Sequence, residues 1–308
     1  MRTDPSIASL APGHLFCFGL GYTAERLAIR LLAEEWTISG TVQTEGKRAA
    51  MAALGITAHL FGPEHPLADP TGTLGQVTHL LSSIPPTEAG DPALIEHQAA
   101  LRAAPLLRWV GYLSTPAVYG DRHGALVQET DTPNPGSARG HRRLAAENAW
   151  VETFSHLDLG ESAGGSIQIF RLAGIYGPVR NAIAQVRAGT ARIIDKPGQV
   201  FNRIHVDDIA TILMASMARP NHGQIYNVAD TEACASGDVV RYACALLGVS
   251  PPQPIAFDFA ALSAMARSFY SECKRLDTRR LTAELGVELA YPTYREGLAS
   301  IMSSDFAR

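Results

Sequence analysis

The stretch CFGLGYTAERL, residues Cys17 to Leu27, decides how the chain folds. Gly19 and Gly21 stand one residue apart, directly after the apolar run His14 to Phe18. Directly after them, Leu27, Ala28, Leu31 and Leu32 share one face of a helical period. The six residues from Gly19 to Ala24 fit the pattern G-x-G-x-x-[GA]. The first glycine permits a tight strand-to-helix turn. The second removes a Cβ so that a pyrophosphate can approach the backbone, and Ala24 is small enough for close helix–strand packing. The helix start beyond it presents unpaired N–H groups and the positive end of a dipole to phosphate. A preceding strand and a following helix favour a dinucleotide turn over a plain tight turn.

Outward from this turn the pattern repeats. A second strand is predicted over Trp36–Val42, a charged helix over Glu45–Leu54 and a short strand over Ala58–Phe61. A fourth strand lies within Val77–Pro86 and stops at a double proline. Then come a helix over Ala93–Ala104, a strand over Arg108–Thr115, a long helix from Ser137 to Phe154, and a sixth strand beginning Ile167–Gly177. Strands alternating with helices across short connections predict an α/β chain. The expected fold is a doubly wound parallel sheet, a Rossmann fold, with a smaller C-terminal α+β lobe. The expected division is an N-terminal tail over 1–13, an NAD(P)-binding Rossmann domain over 14–177 and a substrate-side lobe over 178–308, partly interleaved with the first domain.

Composition narrows the function classes. The chain has 308 residues, 46% of them hydrophobic and 18% charged, enough to bury a sizeable core. Its net charge of −4 comes without a basic block, which argues against nucleic acid as a partner. No run is apolar enough to span a bilayer, and the N-terminus lacks the continuous apolar core of a signal peptide. The four cysteines show no CxxC spacing, and Cys17 falls in a predicted buried strand. These features read as a cytoplasmic, reducing setting with no disulfide framework and no metal site.

Several stretches together carry a family resemblance: FGLGYTA, LLSSIPP, YLSTPAVYG, RLAGIYGP, NRIHVDDIA, YNVAD and KRLDTRRLTAELGVELAYPTYREGL. In this order, from Phe16 to about Leu298, the chain resembles the extended short-chain dehydrogenase/reductase family, in its atypical NAD-dependent epimerase/dehydratase-like branch. The resemblance implies NAD or NADP in the N-terminal domain and a small-molecule substrate in the C-terminal lobe. It also implies a catalytic Ser/Thr, Tyr and Lys, the last two spaced Y-x-x-x-K on one helix. At that spacing both side chains share a face. The lysine lowers the tyrosine pKa so that a phenolate takes a hydroxyl proton while hydride moves.

Mapped onto this chain, Thr115 takes the Ser/Thr position, with Ser114 beside it. ARGHRRLAAE stands where relatives resemble YGRSKLAAE, which puts Arg139 at the tyrosine and Arg143 at the lysine. An arginine stays protonated and cannot act as a general base. Arg143 could hold a nicotinamide ribose or a phosphate, and Arg139 a substrate anion or a developing oxyanion. As replacement bases, Tyr119 and Tyr176 read as cleft-wall or structural residues. His141 points to another side of the helix, and the acids after His205 read as helix caps. Asn202 and Arg203 belong to the substrate side in relatives.

The expected cofactor contacts are Gly19, Gly21, Tyr22, Thr23 and Ala24 in the turn, and the carboxyl ends of later strands: Ser82, Ser83 and Ile84, then Leu172, Ala173, Gly174 and Ile175. After the second strand come Gln43 and Thr44. An acid there would bind ribose hydroxyls and an arginine a 2′-phosphate, but Gln43 is neutral. Lys47 and Arg48, a turn further on, either supply the charge for a 2′-phosphate or simply solvate their helix. The reading leans to NADP over NAD. Relatives also imply a homodimer through the helices around Ala93–Ala104 and Arg139–Phe154. Two functions follow: an NAD(P)-dependent oxidoreductase or epimerase/dehydratase-like protein, or a non-catalytic dinucleotide-binding protein acting as a redox sensor.

Overall fold

The computed structural model describes residues 10–155 and 166–306, so residues 1–9 of the expected tail and the last two residues of the expected lobe lie outside the described residues. The first half alternates strand and helix as β1 (His14–Phe18), α1 (Tyr22–Leu32), β2 (Thr37–Val42), α2 (Glu45–Ala53), β3 (Thr57–Leu60), α3 (Pro70–Leu74), β4 (His79–Ser82), α4 (Pro92–Arg102), β5 (Trp109–Ser114), the short β6 (Leu126–Val127), α5 (Ala138–Phe154) and β7 (Ser166–Leu172). The second half holds β8 (Gly174–Tyr176), α6 (Ala182–Arg187), β9 (Ile193–Asp195), β10 (Arg203–His205), α7 (Val206–Ala218), β11 (Ile225–Val228), α8 (Ser236–Leu247), β12 (Pro254–Ala256), α9 (Ala264–Phe269), β13 (Arg275–Leu276), α10 (Arg279–Leu285) and α11 (Tyr294–Phe306).

Seven strands form one sheet in the order β3-β2-β1-β4-β5-β7-β11, every pair parallel. Strand order reverses between β1 and β4. A doubly wound sheet opens its ligand crevice at that point, outside the carboxyl ends of the strands. The glycine turn after β1 and Ser83 after β4 therefore face the same crevice. The seventh strand, β11, comes from beyond residue 177, and two-stranded pairs β8–β10 and β9–β12 lie outside the main sheet.

Helices cover both faces. Leu27 and Leu31 of α1 pack with Ile209 and Leu213 of α7 on one face. Leu94 and Leu101 of α4 pack with Trp150 and Phe154 of α5 on the other. Strands sandwiched this way read as continuous apolar runs, which is why β1, β4 and β5 are buried almost throughout. Close approach of β1 and β2 requires Gly40, since a Cβ there would stand 2.4 Å from the Cys17 carbonyl oxygen. Cys17 itself is free and fully buried, and burial pushes its thiol pKa up. The short α3 escaped the sequence reading because PTGTL has no apolar period; Asp69 caps it by accepting from the Gly72 N–H at 2.8 Å.

One buried ion pair joins three of these elements. Glu147 of α5 accepts from Arg171 of β7 through Nε at 3.1 Å and Nη2 at 2.6 Å, and also from the Ser114 hydroxyl at the end of β5. Both charged side chains are 2% exposed. Removing one partner of such a pair strands the other charge in the core, whereas replacing both with apolar groups does not. Glu147→Ala is expected to cost about 3–5 kcal/mol in urea unfolding. The double variant Glu147→Leu/Arg171→Met should cost clearly less; a double variant as unstable as the single one would show that the pair is worth more than its burial costs.

Candidate functional site

The glycine turn is built as a cradle. Gly19 adopts φ +89°, and a Cβ on it would stand 2.7 Å from Ile84 Cγ2 and 2.9 Å from Ser83 Oγ. Its N–H donates to Thr41 Oγ1 at 2.8 Å, and the Ser83 hydroxyl donates to its carbonyl at 2.6 Å. Ser83 and Ile84 thus hold the turn in place. Gly21 is different: a Cβ there would meet nothing within 4 Å. It is also the N-cap of α1, which has no side-chain cap, whereas Thr44 caps α2 and Ser137 caps α5. The first-turn N–H groups of α1 are left for an anion, and the residues present fit a pyrophosphate. Thr23 and Ala24 are buried in the packing of α1 on the sheet. Ser82 is buried as well, its hydroxyl without a partner among the described residues.

Past β2, Gln43 is exposed and Thr44 is engaged as a cap, accepting from the Lys47 N–H at 3.3 Å. Lys47 pairs with Glu25, and Arg48 pairs with Glu45 at 2.8 Å. The Arg48–Glu45 pair is solvent-exposed and of the kind worth about 1 kcal/mol or less, and the Lys47–Glu25 pair is half-buried.

A cavity of about 930 Å³ opens between the ends of β5 and β7 and the elements of the second half; no residue of the glycine turn lines it, and Arg180, which does, stacks on Tyr22 of the turn. Thr115 lines it, as do Leu172 through Ile175. Thr115 also starts a single helical turn by accepting from the Ala117 N–H at 3.3 Å. The neighbouring Ser114 is withdrawn from the cavity by its bond to Glu147. Arg139 and Arg143 line the same space from one face of α5. Arg143 donates to the Tyr112 hydroxyl at 3.0 Å and to the Leu113 carbonyl at 2.8 Å. The guanidinium of Arg139 lies 4.6 Å over the ring of Phe269.

Arg203, expected on the substrate side, lines the cavity as well. Sequence reasoning missed Arg180, Arg192 and Lys274, which bring the lining cations to six. The one carboxylate among the described lining residues is Glu272, held by Lys274 at 2.6 Å. Its Oε1 lies 4.0 Å from where a Cβ on Gly136 would stand, at the start of α5 and hence near Arg139. None of the five arginines has a carboxylate partner among the described residues. These charges are spread from residue 139 to 274, so no local pattern in the sequence announces them.

The other candidates apart from His141 are engaged with partners of their own, although Tyr176 and Asn202 also line the cavity. Tyr119 donates to Asn227 Oδ1 at 2.7 Å deep in the core, and His141 is exposed on α5. Tyr176 lines the cavity, but its hydroxyl points to the Thr293 carbonyl at 3.3 Å and burial pushes its pKa up. Asn202 spends its amide on the Lys274 carbonyl and the Leu276 N–H. The expected capping by the acids after His205 is corrected. His205 itself caps α7, its Nδ1 accepting from the Asp207 N–H at 3.2 Å. Asp207 instead pairs with Arg26, and Asp208 accepts from the N–H groups of Ala290 and Tyr291.

No family model matches the sequence. A functionally unknown conserved protein from Silicibacter pomeroyi is 45% identical, with a TM-score of 0.84 over 95% of this chain and 99% of that one. The chain belongs to the family of that protein, built on the extended short-chain dehydrogenase/reductase fold. Protein YeeZ of Escherichia coli is 27% identical over 286 residues, 89% of this chain and 94% of YeeZ. The UDP-glucuronic acid 4-epimerase of Bacillus cereus, solved in complex with NAD, is 16% identical and superposes with a TM-score of 0.74 over 94% and 96% of the two chains. Among the described residues, no helix is long and apolar enough to cross a membrane.

Two buried acids near the cavity set a pH dependence. Burial raises Asp230, beside Arg203, to about 7, and one of its oxygens has no partner among the described residues. Burial likewise raises Asp208 to about 6 despite its two N–H donors. In the unfolded chain such groups titrate near 4. Between these values the folded state holds protons that the unfolded state has lost, so this contribution to stability is complete below about pH 4 and falls as pH rises to about 7. The melting temperature of Asp230→Asn relative to the parent should therefore climb between about pH 4.5 and 8; a difference constant across that range would contradict the burial argument.

Proposed function

We propose that this chain is an NAD(P)-dependent oxidoreductase of the epimerase/dehydratase type, acting in the cytoplasm on an anionic small molecule. The observation that carries this reading is the cavity of about 930 Å³ at the ends of β5 and β7, lined by Thr115 and five arginines without carboxylate partners among the described residues. A protein that only sensed a dinucleotide would have no use for a second, charged cleft of that size at the end of β5. A sugar nucleotide suits it: an apolar and hydroxyl-rich end near Thr115 and phosphates or a carboxylate among the arginines. The Bacillus cereus neighbour is named for such a substrate, UDP-glucuronic acid. Residues 178–308 supply most of the substrate side, and a homodimer through α4 and α5 belongs to the same reading.

The cofactor, when bound, takes up or returns a hydride. This chain's residues bind and orient, and one of them must handle the hydroxyl proton. Thr115 steadies the substrate oxygen, and Arg139 and Arg143 stabilise negative charge on it or on a neighbouring anion. Neither arginine can accept a proton. Glu272 fills that role in our reading, because it is the one carboxylate among the described lining residues, approaches Gly136 just before α5, and is kept in place by Lys274. The second reading, a redox sensor, is favoured by the arginines at both positions where relatives carry Tyr and Lys.

Titration calorimetry with NADPH, NADP, NADH and NAD separates these outcomes. Micromolar binding of at least one is expected, and failure of all four would sink the dinucleotide reading. The absence of an acid at Gln43 favours NADPH. Lys47→Ala/Arg48→Ala should then weaken NADPH by about tenfold, a cost of 1.4 kcal/mol, and leave NADH unchanged. With UDP-glucuronic acid as the probe and turnover read by chromatography of the sugar nucleotide product (and by absorbance at 340 nm only for a net oxidation), Thr115→Val and Glu272→Gln should each lower turnover at least a hundredfold. Tight cofactor binding with no turnover of any anionic sugar would favour the sensor.

A further inference from the structure

We infer that Arg180, from the second half of the chain, closes over the glycine turn and grips the pyrophosphate of the dinucleotide. The inference rests on the dinucleotide reading above and adds a residue outside the glycine motif. Its starting point is Tyr22, the first residue of α1. The Tyr22 hydroxyl donates to the Pro178 carbonyl at 2.8 Å, 156 residues along the chain, and its ring lies 5.2 Å from the Arg180 guanidinium carbon. Gly177 makes this contact feasible, because a Cβ there would stand 2.6 Å from the Tyr22 hydroxyl oxygen. The glycine turn is therefore pinned to the loop between β8 and α6.

That loop is braced. The Gly177 N–H donates to the Arg180 carbonyl at 3.0 Å, and the Asn181 side-chain amide donates to the Gly177 carbonyl at 2.9 Å. Asn181 Oδ1 in turn caps α6 by accepting from the Ala184 N–H at 2.8 Å. Inside these bonds Val179 holds φ +70°, the left-handed region, with an exposed side chain. A β-branched residue pays for that conformation with strain on the order of 1–3 kcal/mol, and such strain persists where surrounding bonds over-determine it. Here it turns the chain so that Arg180 comes back over Tyr22.

Charge completes the case. The nearby carboxylate of Asp207 is occupied by a two-pronged bond from Arg26, and its carbonyl accepts from Arg30 at 3.0 Å. Arg180 is exposed, lines the cavity and has no carboxylate partner among the described residues. The Tyr22 ring orients the guanidinium without neutralising it. An unneutralised planar fork above an uncapped helix start is complementary to a diphosphate: α1 offers backbone N–H groups from below and Arg180 offers paired donors from the opposite side.

Calorimetry with NADH, ADP-ribose and adenosine tests this on the whole protein. ADP-ribose carries the pyrophosphate, and adenosine carries the nucleoside end without any phosphate. Arg180→Ala should weaken NADH and ADP-ribose by about tenfold or more and leave adenosine within about twofold. Arg180→Lys should recover part of the loss, because it restores charge without the fork. Parent protein that binds neither NADH nor ADP-ribose overturns both this inference and the dinucleotide reading. Parent-like affinity of Arg180→Ala for ADP-ribose overturns the inference alone. Equal weakening of adenosine and ADP-ribose also overturns it, since a damaged turn rather than a lost contact would then be responsible.

Discussion

The guanidinium of Arg171 is the charge around which the rest of this structure is arranged. It is fully buried on β7, one strand in from the edge of the sheet, and a buried cation is tolerated only if it is paired and hydrogen-bonded. Glu147 supplies the pairing, which fixes α5 against β7, and the second face of the guanidinium lies 4.6 Å from the Tyr119 ring centroid. Tyr119 passes the constraint on by donating to Asn227 of β11. Asn227, itself fully buried, donates to the carbonyls of Val127 and Asp277 and accepts nothing from solvent. One chain of polar contacts therefore runs from α5 through the sheet edge to the β6–β13 pair. Thr115, Arg139 and Arg143 all hang from elements that this chain immobilises. Rigid support of that kind is what places a site's side chains with the accuracy that chemistry requires.

The same network explains which parts of the molecule could be read from the sequence. The glycine turn, the alternation through β7 and the switch point rest on local signals: apolar runs, a helical period and two glycines whose spacing has a backbone reason. Thr115 could be placed because it ends a recognisable strand. The division of labour between Ser114 and Thr115 could not, since it depends on Glu147, thirty-three residues away, claiming the first hydroxyl. The same limit applies to the cations of the cleft. Arg180, Arg192 and Lys274 are isolated in the sequence and come together only when β8, β9 and β13 fold back over the sheet. The His205 cap was legible in kind but not in identity. HVDD advertises two acids at a helix start, yet the acids find stronger partners in Arg26 and in the N–H groups of Ala290 and Tyr291.

Arg139 and Arg143 set the electrostatics of this face of α5, and both line the cavity from one helix face. A Tyr–Lys pair changes protonation state during a reaction, and an Arg–Arg pair does not. The arginines therefore fix a positive potential in the cleft at every working pH, and under the function proposed above a proton would move through some other group. The lining offers few. Burial pushes the phenols of Tyr176 and Tyr294 up, which leaves them protonated and unable to act as bases. Glu272 is the one carboxylate among the described lining residues, and it lies beside the start of α5.

Positive charge of this density also constrains what can occupy the cleft. Five guanidinium groups around one cavity repel one another, although water and salt screen that repulsion at the exposed Arg139, Arg180 and Arg192. Four of the arginines are held in place by neutral partners: Arg139 by Phe269, Arg143 by Tyr112 and a carbonyl, Arg180 by Tyr22 and Arg192 by the Ala261 carbonyl, while Arg203 donates to the carbonyls of Phe201 and Cys234 with Asp230 nearby. Rings and carbonyls orient a guanidinium while leaving its charge available, whereas a carboxylate would cancel it. Acids are not scarce in this chain, and acidic residues outnumber Lys and Arg, 30 to 26. Their near-exclusion from the cleft is therefore local, and the physical counterpart of that local excess is an anion carrying more than one charge.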